Sequence, residues 1–194
     1  MVLETRGRHT WTFSLPIHRE NIRSAFSLPE GPSVPAGIYQ SAGGQVQYQA
    51  PEGNLIRPRV TFDIGQFFDG RQVSLSVGPD WNPSMHLSLG GSYRLDFVEF
   101  PDRQQSFSAH VARFRTEVML STKTSALSLI QYNSTQNTVT ANFRFYYNPR
   151  EGNDFYIVWN EGLTTDRYSF HPVRPLRNER TILIKYAHTL SFGI

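Results

Sequence analysis

Apolar residues in this chain return at every second position, and convincing helical periodicity is absent. Val139, Ala141, Phe143, Phe145 and Tyr147 fall on one face of an extended segment; Thr138, Thr140, Asn142, Arg144 and Tyr146 fall on the other. Leu87, Leu89, Tyr93, Leu95 and Phe97 alternate with His86, Ser88, Ser92, Arg94 and Asp96. Val73, Leu75 and Val77 alternate with Gln72, Ser74 and Ser76. Ala112, Phe114, Thr116, Val118 and Leu120 alternate with Arg113, Arg115, Glu117 and Met119, and Ile182, Ile184 and Tyr186 with Thr181, Leu183 and Lys185. Side chains of a strand point to opposite faces in turn, so the pattern predicts strands with one greasy and one polar side. Turn residues between the runs divide them into about ten strands, near 9–18, 38–49, 56–68, 71–79, 85–98, 105–121, 125–134, 137–147, 154–160 and 180–192. The stretches 19–37 and 161–179, rich in Pro, Arg and polar residues, read as exposed loops.

The aromatic residues sit at the ends of these runs. Phe67 and Phe68 precede Asp69-Gly70, Trp81 stands in the expected turn 80–84, and Phe97 and Phe107 flank Pro101-Asp102. Tyr146 and Tyr147 precede the turn 148–152, Trp159 precedes Asn160-Glu161-Gly162, and Phe192 lies two residues from the last. A soluble β-protein places its rings mid-strand, whereas a barrel in a bilayer places many at the lipid–water boundary. The expectation is an all-β, antiparallel, up-and-down transmembrane-type β-barrel or barrel portion, one domain over 1–194. These nine residues would form its aromatic girdle. With a periplasmic C-terminus, both long loops fall on the extracellular side and the periplasmic turns are short, as such barrels prefer.

Composition is consistent with this. There is no cysteine, which excludes disulfides and thiolate metal sites and suits a periplasm or cell surface. No apolar run approaches the roughly 18 residues of a spanning helix. Mean hydropathy is negative, as a barrel permits when half of each strand faces a polar interior. The small positive charge is spread along the chain without a basic cluster, which argues against a nucleic-acid partner. The segment 2–8 lacks the apolar core of a signal peptide, so an exported protein of this kind is expected as a mature chain or as the C-terminal part of a longer one.

Motifs for chemistry are sparse. The six histidines form no close pair with metal-ligand spacing, and no HExxH, GxSxG, phosphate-loop or dinucleotide fingerprint occurs. Carboxylates are scattered, and no spacing selects two for one cleft. Asn133-Ser134-Thr135 matches a glycosylation acceptor but reads more plainly as a polar hairpin tip. The most suggestive set is the charged polar face: Arg94, Asp96, Arg113, Arg115, Glu117 and Arg144. In a closed sheet they would face the lumen, as an ion-pair ladder or as a pore lining that favours anions. In a soluble sandwich they would simply face water. No catalytic residue, metal or cofactor is expected.

The segment Leu127-Ser128-Leu129-Ile130-Gln131-Tyr132-Asn133, the following Asn137-Thr138-Val139-Thr140-Ala141-Asn142-Phe143-Arg144, and Asp154-Phe155-Tyr156-Ile157-Val158-Trp159-Asn160-Glu161-Gly162 carry a family likeness. From about Ser125 the chain resembles the C-terminal outer-membrane β-barrel region of uncharacterised bacterial proteins that carry an N-terminal carbohydrate-binding-type β-sandwich. Weaker echoes reach back to Val34-Pro35-Ala36-Gly37 and Trp81-Asn82-Pro83-Ser84. The resemblance implies a bacterial outer-membrane location and an anchoring, assembly or narrow-pore role. Expected partners are membrane lipid, and either other chains of a membrane assembly or the missing N-terminal domain. The sandwich is absent here, and Phe192 is followed by Gly193-Ile194 where the usual sorting signal ends on the aromatic residue. The competing expectation is a soluble all-β sandwich that binds glycan or a protein partner.

Overall fold

A computed structural model describes residues 1–28, 32–169, 171–173 and 175–189. Every long element among them is a β-strand, and the one helical element is a single 3-10 turn at Pro101–Arg103. The strands are β1 (Val2–Glu4), β2 (Thr10–Ser14), β3 (Ile17–Ile22), β4 (Phe26–Ser27), β5 (Ser33–Val34), β6 (Gly37–Gln49), β7 (Ile56–Phe67), β8 (Gly70–Ser84), β9 (Leu87–Phe100), β10 (Gln105–Ser121), β11 (Thr124–Asn133), β12 (Thr138–Arg150), β13 (Asn153–Thr164) and β14 (Arg177–His188). Twelve of them form one antiparallel sheet in the order β1-β2-β6-β7-β8-β9-β10-β11-β12-β13-β14, with β3 also paired to β6. β4 and β5 form a separate two-stranded ribbon. Among the described residues no pairing joins β1 to β14, so the strand path is open at both ends.

β2 and β3 pair with β6 in one unbroken register, Ser14 across from Gln45 and Ile17 across from Ala42. They are one strand interrupted at Leu15-Pro16, where proline has no N–H to donate. The carbonyl of Pro16 still accepts from the Gly43 amide at 3.0 Å. This interrupted strand and the nine from β6 to β14 make ten long strands. β1 was not expected; it folds back onto β2 through a turn in which Arg8 takes φ 60°. β6 runs straight through Gly43-Gly44 because Gly43 pairs with Gly65, and a Cβ on Gly65 would lie 2.9 Å from the Gly43 Cα.

Three boundaries differ from expectation. β8 continues through 80–84, so Trp81 lies within a strand and the chain turns at Met85-His86. Asp-Trp-Asn-Pro-Ser reads as a turn by composition, but the alternation Val77, Pro79, Trp81 continues across it. The expected loop 19–37 loses its start to β3 and contains the β4–β5 ribbon. The expected loop 161–179 shortens to 165–176 as β13 and β14 extend into it.

Contacts group the chain into two units. One holds Met1–Pro79, Ser92–Ala112 and Ser134–Gln136; the other holds Asp80–Gly91, Arg113–Asn133 and the chain from Asn137 onward. In both, large apolar side chains of one face stand exposed. In the first unit Ser74 is 1 % exposed, while its neighbours Val73 and Leu75 are 38 % and 40 % exposed. Trp11, Phe13, Phe62 and Ile64 are also exposed there. In the second, Phe143, Trp159, Ile182 and Ile184 are exposed.

The few fully buried apolar residues, Val34, Val98 and Phe100 among them, belong to the first unit. Gly70 is packed there too. A Cβ at this position would come 2.5 Å from the Glu99 carbonyl and 2.8 Å from the Phe100 ring. Gly70→Ala is expected to destabilise by about 1–3 kcal/mol through overpacking. Gly53→Ala, with nothing within 4 Å of its added carbon, should stay within about 0.5 kcal/mol. Equilibrium unfolding in denaturant measures both.

Candidate functional site

The polar face of the first unit is organised around Asp96. On β9, Arg94 donates to it through Nε at 2.9–3.0 Å and pairs through Nη2 at 2.8 Å. From β8, the Ser74 hydroxyl donates at 2.5 Å and the Gln72 amide at 3.1 Å. Gln72, Ser74, Arg94 and Asp96 hold alternate positions on their strands, so the pleat brings all four to one side. Two strands away, Gln45 donates to Asp63 across the β6–β7 pair at 2.7 Å. A small cavity of about 180 Å³ opens between them, lined by Asp63, Gln72, Ser74 and Arg94 with Gly43 and Gly65. The chemistry is that of a satisfied polar network. The Ser74 hydroxyl donates to the Asp96 carboxylate, and His18 and Ser41 stand elsewhere on the cavity wall.

An aromatic cluster ends this face. Phe67 shares a face of β7 with Asp63, and Phe100 shares a face of β9 with Asp96. Their rings meet edge-on at 6.4 Å. Phe68, at φ 52°, steps out of the alternation to pack between Phe67, Tyr39 and Phe26. Arg103 caps the cluster. Its guanidinium lies 4.9 Å from the Phe100 centroid and bonds both the Asp69 carboxylate and the Ser33 carbonyl, which ties the β4–β5 ribbon down. Phe67 and Phe68, expected in a lipid girdle, therefore stack inside this cluster. Parity with Asp63 and Asp96 is the sequence signal that could have revealed it for Phe67 and Phe100.

On the polar face of the second unit, Arg113 donates to Gln131 at 2.8 Å, and Arg115 pairs with Glu117 at 3.7 Å. Arg144 lies across from Leu127 and Val158, and its side is continued by the bonded pair Asn142–Asn160. Tyr146 turns to this side as well, donating to Asp154 at 2.6 Å and stacking on Tyr156. The six charged residues thus form two ion pairs and two separate arginines rather than one cluster. Of the remaining expected girdle residues, Trp81, Phe97, Tyr147 and Trp159 are each 41–45 % exposed and Phe107 is half-buried. Phe192 lies outside the described residues.

Among the described residues no group of three or more His, Cys, Asp and Glu is arranged to hold a metal. Four histidine rings each take part in one hydrogen bond: His9 with Tyr48, His86 with the Met119 carbonyl, His110 with Tyr93 and His188 with Asn153. No helix is long and apolar enough to cross a membrane, which leaves crossing by strands untouched. Fold and site together define an all-β protein built on a two-faced antiparallel sheet. Comparison with protein-family models, with curated proteins and with solved structures finds no match to this chain.

The weights within the Asp96 network differ. Asp96→Asn removes the charged acceptor of a hydroxyl that is 1 % exposed and is expected to destabilise by about 1–3 kcal/mol. Arg94→Gln, at a side chain 45 % exposed, should cost less than about 1 kcal/mol. Unfolding midpoints of the two variants against the parent protein measure the order.

Proposed function

We propose that this chain is a bacterial outer-membrane β-barrel protein, or the C-terminal portion of one, with an anchoring or assembly role and at most a narrow passage. The observation that carries this reading is the exposed apolar face. In the first unit the polar side holds the bonded, least exposed groups, Ser74 among them, while Trp11, Phe62 and Leu75 stand open on the other; Phe143 and Ile184 stand open in the second unit. Leaving a continuous apolar face in water forgoes about 25 cal/mol for each Å² that could be covered, and soluble monomers rarely do so over more than a few hundred Å². Hydrocarbon removes that penalty. In lipid every backbone group must be satisfied by the ladder itself, which strand pairing does once the sheet is closed. Closure, by this chain's own strands or by further ones, is part of the proposal.

Ten strands enclose a lumen that side chains largely fill, and the ring cluster at Phe67 and Phe100 adds a stopper on the polar side. Passage of large solutes does not fit such an interior. Strands such as β8 and β10 (15 and 17 residues) exceed the ~9–11 residues that cross a bilayer, so their ends would stand clear of it. The soluble sandwich reading would need a second sheet over the apolar side. The only other pairing among the described residues is the two-residue β4–β5 ribbon.

The protein is expected to require detergent and to migrate differently on an electrophoresis gel when unheated; a stable monomer in plain buffer contradicts the proposal. Phe143→Arg should cost about 2–4 kcal/mol of folding free energy in bilayers. Unchanged bilayer folding of that variant would mean that this face does not meet lipid.

A further inference from the structure

One strip of the open apolar face ends in charge. Along β14, Tyr186, Ile184 and Ile182 point to the same side as their partners Phe155, Ile157 and Trp159 on β13. The next position on that side is Arg180, across from Glu161. Glu161 is on the exposed side of the sheet, yet its side chain is only 7 % exposed because three donors cover it. Arg180 reaches it through Nε at 2.5 Å and Nη2 at 2.9 Å, Arg177 through Nε at 2.9 Å and Trp159 through Nε1 at 3.2 Å. The Arg180 guanidinium also lies 5.8 Å from the Trp159 ring centroid. Glu179, across from Gly162, belongs to the other side of the strand, so on this side one carboxylate serves two guanidiniums and one positive charge is left over. Both guanidiniums keep an open side, at 41 % and 61 % exposure.

We propose that this strip binds an anionic amphiphile: a phosphate-bearing headgroup on Arg177 and Arg180, and its acyl chain along Ile182 and Ile184 beside Trp159. The proposal rests on the membrane reading above. An uncompensated charge beside hydrocarbon is costly, and a second anion at the arginines relieves it. Guanidinium forks match phosphate oxygens in pairs and keep unused N–H groups after bonding one carboxylate. The charged pair lies about 7 Å along the strand from Ile182 and about 13 Å from Ile184, so head and chain of one lipid span both parts. Tryptophan at the junction suits a lipid–water boundary.

The test uses the full chain in neutral detergent, with phosphatidylglycerol, phosphatidylcholine and inorganic phosphate as probes in native mass spectrometry. Phosphatidylglycerol should bind about fivefold tighter than phosphatidylcholine, the gain of one cation at an anionic lipid. Arg177→Gln leaves the Arg180–Glu161 pair in place and should abolish most of that preference, while Arg177→Lys should restore it. Equal binding of the two lipids, or a preference unchanged in Arg177→Gln, overturns the proposal. Competition by millimolar inorganic phosphate reassigns the site to a free anion and also overturns it. A chain that inserts in bilayers but shows no lipid preference sinks only this site; one that stays soluble and binds neither lipid sinks the membrane reading beneath it.

Discussion

Antiparallel pairing satisfies a strand sideways and leaves its two faces to be dealt with separately, and the rest of this molecule follows from that division. The register decides which residues share a face. Phe143 lies across from Trp159 and Ser128, and Trp159 across from Ile182, while Arg144 lies across from Leu127 and Val158. A slip of one residue in this ladder would exchange the faces, carrying Phe143, Trp159 and Ile182 to the side now held by Arg144 and Asn142. Ten long strands hold a register that keeps them sorted, with proline at the break between β2 and β3 and paired glycines where β6 and β7 approach closely.

The two faces are stabilised by different physics. On the polar side individual bonds between exposed groups are worth little, and strength comes from sharing: Asp96 accepts from Ser74, Gln72 and Arg94 at once, so each donor fixes the orientation the others need. That side of the first unit is closed off by the rings of Phe67, Phe68 and Phe100 under the Arg103 guanidinium, and this is where nearly all full burial of apolar groups is found.

The apolar side has no protein layer over it among the described residues, and its exceptions are informative for that reason. Glu161 can sit on it only because Arg177, Arg180 and the indole N–H of Trp159 enclose the carboxylate. Such an arrangement suits a boundary, where apolar surface gives way to polar surroundings within two residues along a strand.

Much of the architecture was legible from the sequence. Period-two alternation, divided by the turn residues between runs, located the ten long strands, most to within a few residues, and the split between polar and apolar faces at Ser74, Asp96, Phe143 and Ile184 follows from parity. Parity cannot say what happens where strands end. Phe67 and Phe68 beside Asp69-Gly70 look like any boundary pair; their edge-on packing with Phe100, Tyr39 and Phe26 depends on the β4–β5 pair and on Arg103, which are distant in sequence and are brought together only by folding. The same holds for Glu161, which reads as one more scattered carboxylate until β14 comes alongside and sets two arginines over it. Local alternation is a property of consecutive residues and so is written in the chain, whereas the ring cluster and the charge cluster are contacts between segments, decided by register and by turns whose course composition does not dictate.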